Sequence, residues 1–384
     1  MKWHSLAVAW PLLFATAQSA PKLNQSQIKG LLVFELDDGS LAARASQMNA
    51  TAVEIQDNKF EVGFNQSVGE MMSDATEEVG KFLHILHGED LPNGTRIEFA
   101  FSNKYSPKDG PSAAVVCALL ANSIITGQKI DPDFAATGDM TATGKVRPVG
   151  GIYDKIRGAT KKGCTLVAIP KTNRPAVDDA YLLEGLAPLH SIQIFTIETF
   201  QEAQALACEK KTDSVQQAID EFTLIQKALT NNPKYITNAK VREKLRTICK
   251  LLPNHLSAEL LLLHSYKKGP TKLSLEGSLN GIDQAGNRLG QMIQNRSYTT
   301  SGGNSDVLYR LINEFQNLRP KLDKRTIEYA DAYRKLAEFI KEVRGRRTWN
   351  AQLDREIQAA LSKVGIERDN LINDPDIQEE LSLE

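Results

Sequence analysis

A serine and a lysine, 43 positions apart, are the residues in this sequence best suited to chemistry. Ser112 follows a loop-forming run, Pro107 to Pro111, and precedes an apolar run, Ala113 to Ala121, that predicts a buried helix. Backbone N–H groups without partners at the beginning of a helix stabilise a developing oxyanion. Ser112 is therefore a candidate acyl-transfer nucleophile, and an ordinary N-cap role is the alternative.

Lys155 is the candidate base for this serine. A lysine takes the proton of a serine hydroxyl only where burial or a neighbouring cation lowers its pKa. The glycine pair Gly150-Gly151, just before it, would let the backbone pack closely and so bury the ammonium group. A solvated surface lysine is the alternative interpretation, and the spacing alone does not decide between the two.

Two motifs resemble the proteolytic domain of Lon protease, a serine peptidase with a Ser–Lys dyad. Residues 107–113 read P-K-D-G-P-S-A, which matches the nucleophile motif of that family. Residues 150–155 match its G-G-x-x-x-K motif, and the two motifs come in the order of the family. The resemblance implies that Ser112 and Lys155 are the catalytic residues.

The resemblance extends over residues 25–208 and implies two supporting positions. Residues 137–139 read T-G-D, similar to the family's T-G-E with aspartate in place of glutamate, and residues 168–173 are similar to its I-P-x-x-N segment. On the motif match alone, Asp109 and Thr137 are expected to support the catalytic pair. The departures from the family pattern bear on substrate preference and rate more than on the dyad.

The residue pattern predicts an α+β fold for this part of the chain. Strands and helices mix without strict alternation, which agrees with the fold that the resemblance implies. Strands are predicted at 30–36, 50–56, 59–64, 96–101, 134–137, 165–169 and 192–195, and helices at 67–87, 175–183 and 199–207.

The predicted domain organisation has three parts: a signal peptide at 1–20, a Lon-like proteolytic domain at 21–208 and an all-α helical domain at 209–384. Glycine, proline and asparagine clusters break the helical pattern of the last part, and its acidic end, 374–384, is expected to fray. This helical domain would recruit substrates, mediate oligomerisation or simply stabilise the protease. No ATPase module is recognised ahead of the protease-like part.

The first 20 residues indicate export to the periplasm or the extracellular medium. Lys2 and the apolar stretch Leu6 to Phe14, followed by small residues suited to cleavage, are typical of a secretory signal. The stretch is too short for a membrane anchor, so no membrane association is expected after cleavage. Export would allow disulfides, but the wide spacing of the four cysteines favours buried free thiols.

Composition and motifs argue against several other classes of function. The chain has 46 basic and 47 acidic residues, a balance that points to neither nucleic acid nor an anionic membrane as a partner. Residues 138–145 have one residue too many for a phosphate loop, and His84 and His87 lie outside any zinc-protease motif. No serine lies in the G-x-S-x-G elbow of a Ser-His-Asp hydrolase. No cofactor and no metal are predicted.

These observations predict an exported, ATP-independent serine endopeptidase that hydrolyses unfolded or flexible proteins and peptides through Ser112 and Lys155. The resemblance implies a ring-shaped homo-oligomer. Two alternatives stay open: a binding or assembly protein on a peptidase-like fold, and a protease that cuts only its own chain.

Overall fold

The computed structural model describes residues 20–35, 41–102, 109–295, 305–344 and 351–382. The predicted signal peptide up to residue 19 lies outside these residues, as do Pro107 and Lys108 at the beginning of the serine motif.

The described strands form a mixed seven-stranded sheet and a separate two-stranded ribbon. They are β1 (Gln25–Glu35), β2 (Leu41–Glu54), β3 (Phe60–Phe64), β4 (Thr95–Phe101), β5 (Phe134–Ala136), β6 (Asp139–Met140), β7 (Val146–Arg147), β8 (Leu166–Pro170) and β9 (Gln193–Ile197). The sheet order is β3-β4-β2-β1-β5-β8-β9, and β6 pairs with β7 in the ribbon. β2 pairs antiparallel with β1 and with β4, and the other four pairings in the sheet are parallel.

The helices follow from the apolar patterns between and after the strands. They are α1 (Glu70–His87), α2 (Ala114–Thr126), α3 (Ile152–Lys161), α4 (Arg174–Glu184), α5 (Ala187–Ser191), α6 (Phe200–Ala207), α7 (Asp213–Asn231), α8 (Ala239–Leu251), α9 (Leu256–Ser265), α10 (Leu275–Gln294), α11 (Ser305–Leu318), α12 (Ile327–Arg344), α13 (Ala351–Ile372) and α14 (Pro375–Ser382). The predicted α+β domain followed by helices is confirmed.

Both faces of the sheet are covered at β5, β8 and β9, so these parallel strands are buried along their whole length. Every residue of β8 is buried, whereas β4 alternates between buried and half-buried positions. Successive residues of one strand join different cores: Ala168 packs with α1, α2 and α6, whereas Val167 packs with α3 and with α7 to α9. The sheet therefore separates the helix that follows Ser112 from the helix that carries Lys155.

The carboxy-terminal helices divide between the sheet and a core of their own. The segment before α9 and the first turn of α9 cover the outer edge of β9. Thr196 N–H donates to the Asn254 carbonyl at 3.0 Å, and Ile194 N–H donates to Ser257 Oγ at 3.0 Å. Helices α10 to α14 enclose a separate apolar core. The predicted boundary at 208/209 stays a prediction, but apolar packing on the sheet continues through α9.

Several element boundaries differ from the prediction. β2 begins at Leu41, where the sequence is rich in alanine and polar residues, because antiparallel pairing with β1 outweighs local propensity. α5 was not expected. The acidic end was expected to fray, but it forms α14, and Ile377 is 2% exposed against the carboxy-terminal core.

Candidate active site

Ser112 lies in a short 3-10 turn, Pro111–Ala113, that leads directly into α2. The turn begins after Gly110, whose φ of 99° is readily accessible only to glycine. The prediction of a serine at a helix N-terminus is thus confirmed. The first N–H groups of such a turn have no acceptor within it and point towards incoming negative charge.

The hydroxyl of Ser112 is not used as a helix cap. The N-cap of α2 is Ala113, and no side chain caps either the turn or the helix. Ser112 Oγ makes no hydrogen bond to any residue that the structure describes. The ordinary N-cap interpretation is therefore wrong, and the half-buried hydroxyl remains available for chemistry.

Thr137 holds the main chain of Ser112 against the end of β5. Its Oγ1 donates to the Ser112 carbonyl at 3.3 Å, and Gly138 N–H donates to the same carbonyl at 3.0 Å. Thr137 is fully buried, and its own N–H donates to the Ala168 carbonyl in β8. The structure therefore brings Thr137 and Ser112 together, as the motif match suggested.

Asp109 anchors the serine loop to the beginning of α1. Its Oδ1 accepts from Met72 N–H at 3.1 Å and from Gly110 N–H at 2.7 Å. No side chain of α1 itself caps this helix, so Asp109 serves as its cap from a distant part of the sequence. The approach needs Gly69, because a Cβ there would lie 2.1 Å from Asp109 Cγ. No motif or periodicity in the sequence pointed to Gly69.

Lys155 is buried on the inner face of α3 and is only 3% exposed. Burial alone lowers the pKa of its ammonium group to about 8. No carboxylate among the described residues forms an ion pair or a hydrogen bond with it. The surface-lysine interpretation is therefore wrong. A lysine with this pKa is partly neutral near physiological pH, as a general base must be.

Close backbone packing does accompany this burial, but only one glycine of the pair provides it. Gly151 precedes α3 with a left-handed φ of 69°, and a Cβ there would lie 2.8 Å from Val33 Cγ2 of β1. A Cβ at Gly150 would meet open space. Gly151 therefore brings the beginning of α3 against β1.

Asn173 holds the loop before α3 and was not assigned a role from the sequence. Its Oδ1 accepts from Val149 N–H at 3.0 Å, and its Nδ2 donates to the Val149 carbonyl at 3.1 Å. The signal was present, because Asn173 is the asparagine of the I-P-x-x-N segment. This amide fixes the loop that precedes Lys155.

Two short links join the serine segment and the lysine segment around the carboxyl ends of β5 and β8. Gly138, which binds the Ser112 carbonyl, faces Pro170 at the end of β8. Asn173, three residues further, holds the loop before α3. The arrangement thus fixes both segments to the same end of the parallel strands, where sites of α/β sheets commonly form.

The described residues offer no support for the competing sites. They contain no group of three or more His, Cys, Asp and Glu that could hold a metal. His87 contacts Asn122 and His84 packs edge-on against Phe60. All four cysteines are free, with Cys117 and Cys164 buried. None of the described helices is both long enough and apolar enough to cross a membrane.

Comparison with known proteins identifies the same region. Residues 86–205 match the family model of the Lon protease (S16) C-terminal proteolytic domain, a segment that contains both Ser112 and Lys155. The Lon protease of Salinispora arenicola (strain CNS-205) is 37% identical over 86 residues, 22% of this chain and 11% of that protein. The mitochondrial Lon protease homolog of Eremothecium gossypii is 32% identical over 129 residues, 32% of this chain and 12% of that protein.

A third relative gives the same result. The Lon protease of Desulforamulus reducens is 42% identical over 73 residues, 19% of this chain and 9% of that protein. The chain spans about a tenth of the length of these curated relatives. The resemblance to the Lon proteolytic domain is confirmed, and the matched residues support a Lon-like serine peptidase, a hydrolase.

Proposed function

We propose that the Lon-like segment of this chain is a serine endopeptidase that uses Ser112 as nucleophile and Lys155 as general base. The observation that carries the proposal is the buried lysine, with a pKa of about 8 and no carboxylate partner in the described part of the chain. The ammonium of an ion-paired lysine would keep its proton, whereas this amine loses it readily near neutral pH.

The reaction proceeds in two balanced steps. Neutral Lys155 takes the hydroxyl proton as Ser112 Oγ bonds to the peptide carbonyl carbon, and then passes that proton to the leaving nitrogen as the C–N bond breaks. Water then attacks the acyl ester, again giving its proton to Lys155, and Ser112 leaves with that proton. N–H groups at the beginning of the turn stabilise the oxyanion in both steps.

The two supporting residues position the nucleophile in this mechanism. Thr137 fixes the Ser112 carbonyl, so that the serine N–H and Oγ keep one orientation. Asp109 fixes the loop through the first turn of α1 and directs its carboxylate to backbone N–H groups rather than to the lysine. This arrangement leaves the pKa of Lys155 governed by burial.

An open strand edge beside the site suits an extended substrate. β1 pairs with β5 only at Lys29 and Gly30, so among the described strands nothing pairs with this side of β1 beyond Gly30. Val33, on that stretch, lies against Gly151 before α3. A flexible peptide added here as a strand would run past the catalytic segments, and selection for unfolded chains would follow.

The cellular setting belongs to the same proposal. We propose export from the signal-like residues 1–20, hydrolysis without ATP, and assembly into a ring-shaped homo-oligomer by analogy with the family. Unfolded or flexible proteins are the proposed substrates, since only such chains can supply an extended segment to a strand edge.

Hydrolysis of fluorescently labelled casein without ATP tests the proposal. We expect turnover by the wild type and a loss of more than about a thousandfold in Ser112→Ala and in Lys155→Met. The wild-type kcat/KM should rise about tenfold per pH unit below pH 8 and level off above it, as Lys155 loses its proton. Activity that survives in either variant would refute the dyad. An inactive wild type would favour the binding or autoprocessing alternatives.

A further inference from the structure

A cleft of about 520 Å³ lies on the side of α3 that the proposed mechanism does not use. One wall is formed by α3 and the end of α4, and the other by α10 and α11. The cleft therefore joins the helix that carries Lys155 to the carboxy-terminal helices. Its size is within the range of ligand-binding sites in proteins.

The charged side chains that line the cleft are mostly held by neighbouring groups of the protein. The Glu184 carboxylate contacts the Tyr153 hydroxyl and lies 3.9 Å from Arg157 Nε. Glu314 is paired with Arg288, and Lys321 Nζ donates to the Leu182 carbonyl at 2.8 Å. Three basic side chains, Arg157, Arg310 and Lys321, and two acidic ones, Glu184 and Glu314, line the cleft. This near balance is not the large positive excess that binds a polyanion such as nucleic acid or an anionic membrane surface.

Three amide side chains line the cleft without internal partners. Gln284, Asn313 and Asn317 are exposed, and their amides make no hydrogen bond to any residue in the described ranges. Each amide offers one acceptor oxygen and a donor nitrogen, the pair of functions that a peptide group also presents. The cleft is thus equipped to bind neutral peptide backbone.

The spacing of two of these amides matches an extended chain. Asn313 and Asn317 are one turn apart on α11, a rise of about 6 Å along the helix. Alternate peptide groups of an extended chain are about 6.6 Å apart. A strand-like segment that lies along α11 would therefore present an equivalent peptide group to each asparagine.

We propose that this cleft is an exosite that binds an extended, flexible segment of the polypeptide substrate through the amides of Gln284, Asn313 and Asn317. The identity of the ligand as substrate rests on the proposed proteolytic function. The exosite lies outside the catalytic pair, so it contributes binding energy in the ground state and the transition state alike.

Fluorescence anisotropy with labelled casein tests this exosite in the full-length Ser112→Ala protein, where cleavage is blocked. The double variant Asn313→Ala/Asn317→Ala should raise the Kd about fivefold or more, from the loss of two hydrogen bonds. Gln316→Ala is the matched control, because it removes an exposed amide of the same helix outside the cleft. The control should change the Kd less than about twofold. Circular dichroism and urea unfolding verify that each variant is folded.

Steady-state kinetics give a second readout in the active protein, which keeps Ser112. The asparagine pair should raise KM for casein with kcat unchanged, and leave the hydrolysis of a short labelled peptide unaffected. The exosite would be overturned if casein does not bind, or if the asparagine pair leaves the Kd unchanged. An equal loss of casein affinity in Gln316→Ala would also overturn it. A changed sedimentation coefficient with an unchanged Kd would overturn it too and assign the cleft to contacts between copies. Because binding is read without cleavage, failure of the exosite is distinguishable from failure of the proposed proteolysis.

Discussion

In the proposed mechanism, Lys155 can act as a base because it is buried, and this burial lowers the stability of the folded protein. The lysine has a pKa of about 8, well below its ordinary value of 10.5, because α3 holds its side chain away from water. At neutral pH the folded protein thus carries a buried charge that has no counter-ion among the residues described by the structure. Such a group is kept at the expense of stability, which is typical of functional sites.

Replacement of Lys155 by methionine should therefore stabilise the protein while it abolishes hydrolysis. Below pH 8 both the folded and the unfolded chain bind the lysine proton, and the folded state bears the full cost of burial. Between pH 8 and 10.5 only the unfolded chain keeps that proton, so wild-type stability rises with pH. The lowered pKa of Lys155 corresponds to a loss of about 3 kcal/mol in the free energy of unfolding of the wild type at neutral pH. Urea unfolding at pH 7 should show this gain in Lys155→Met, and it should vanish above pH 10.5.

The control for this experiment is Lys161→Met, on the exposed end of the same helix. It should change the free energy of unfolding by no more than about 0.5 kcal/mol at any pH. A Lys155→Met variant that is less stable than the wild type at pH 7 would contradict the cost assigned to burial.

Asp109 offers a second prediction, because its role is that of a hydrogen-bond acceptor at α1. Asp109→Ala should lower stability by about 1 kcal/mol and reduce kcat, since the loop loses its anchor. Asp109→Asn keeps an acceptor oxygen and should therefore retain most of the stability and most of the kcat. Casein hydrolysis and urea unfolding measure the two effects. Equal loss of kcat in both variants would instead indicate that the charge itself acts in catalysis.

Gly69 gives an independent check on the same contact. A side chain at this position would occupy the space of the Asp109 carboxylate, whose Cγ would lie 2.1 Å from the new Cβ. Gly69→Ala should therefore reproduce the effect of Asp109→Ala, and the double variant should be no worse than either single one.

At the scale of elements, the segment before α9 closes the outer edge of the sheet around a buried histidine. His255 lies between the rings of Phe195 and Phe222, and its ring nitrogens contact Gln193 Oε1 and Ala258 N–H. Burial lowers its pKa to about 3. The ring is therefore a neutral part of the packing and takes no role in the proposed chemistry.

Acid should weaken this packing through His255. As the pH falls from 6.5 towards 3, His255 binds a proton in the unfolded chain but stays neutral in the folded chain. The free energy of unfolding therefore falls by up to about 1.4 kcal/mol per pH unit. His255→Phe removes this dependence, although it leaves Gln193 Oε1 without its partner. Thermal unfolding between pH 6.5 and 4 should show a smaller slope in the variant. An unchanged slope would contradict the buried, neutral state of the ring.

At the scale of the whole molecule, polar contacts connect the sheet domain to the carboxy-terminal helices. The Asp179 carboxylate of α4 accepts from Ser274 N–H at 2.8 Å and from Ser274 Oγ at 2.5 Å, at the beginning of α10. Arg174 pairs with Glu259 of α9 through two hydrogen bonds. α4 therefore contacts both groups of carboxy-terminal helices.

Truncation separates the two groups. A chain that ends at residue 268 keeps α7 to α9 on the sheet, and should be soluble and unfold cooperatively. A chain that ends at residue 208 exposes the edge of β9 and the apolar face that α7 to α9 cover, and should aggregate. The soluble fraction after expression and thermal unfolding measure the difference. A soluble, cooperative chain ending at 208 would show that α7 to α9 are dispensable.

The sequence by itself determined the type of chemistry and the type of fold. The serine and lysine motifs indicated a Lon-like proteolytic segment, because each motif requires several residues at fixed positions. Apolar periodicity located most strands and helices, because burial on a sheet face or a helix face imposes a period of 2 or 3.6 residues. Apolar periodicity did not predict the length of β2 or the helix at the acidic end, because long-range pairing and packing outweighed local propensity there.

Only the tertiary structure decided the state of each candidate residue. The burial of Lys155 depends on which elements pack around it, and so does the absence of a hydrogen bond from Ser112 Oγ to any described residue. These elements are far apart in the chain. The same holds for Asp109, which caps a helix that begins 39 residues before it. The physical reason is that pKa values and hydrogen-bond partners are set by neighbours in space, whereas the sequence specifies directly only the neighbours along the chain.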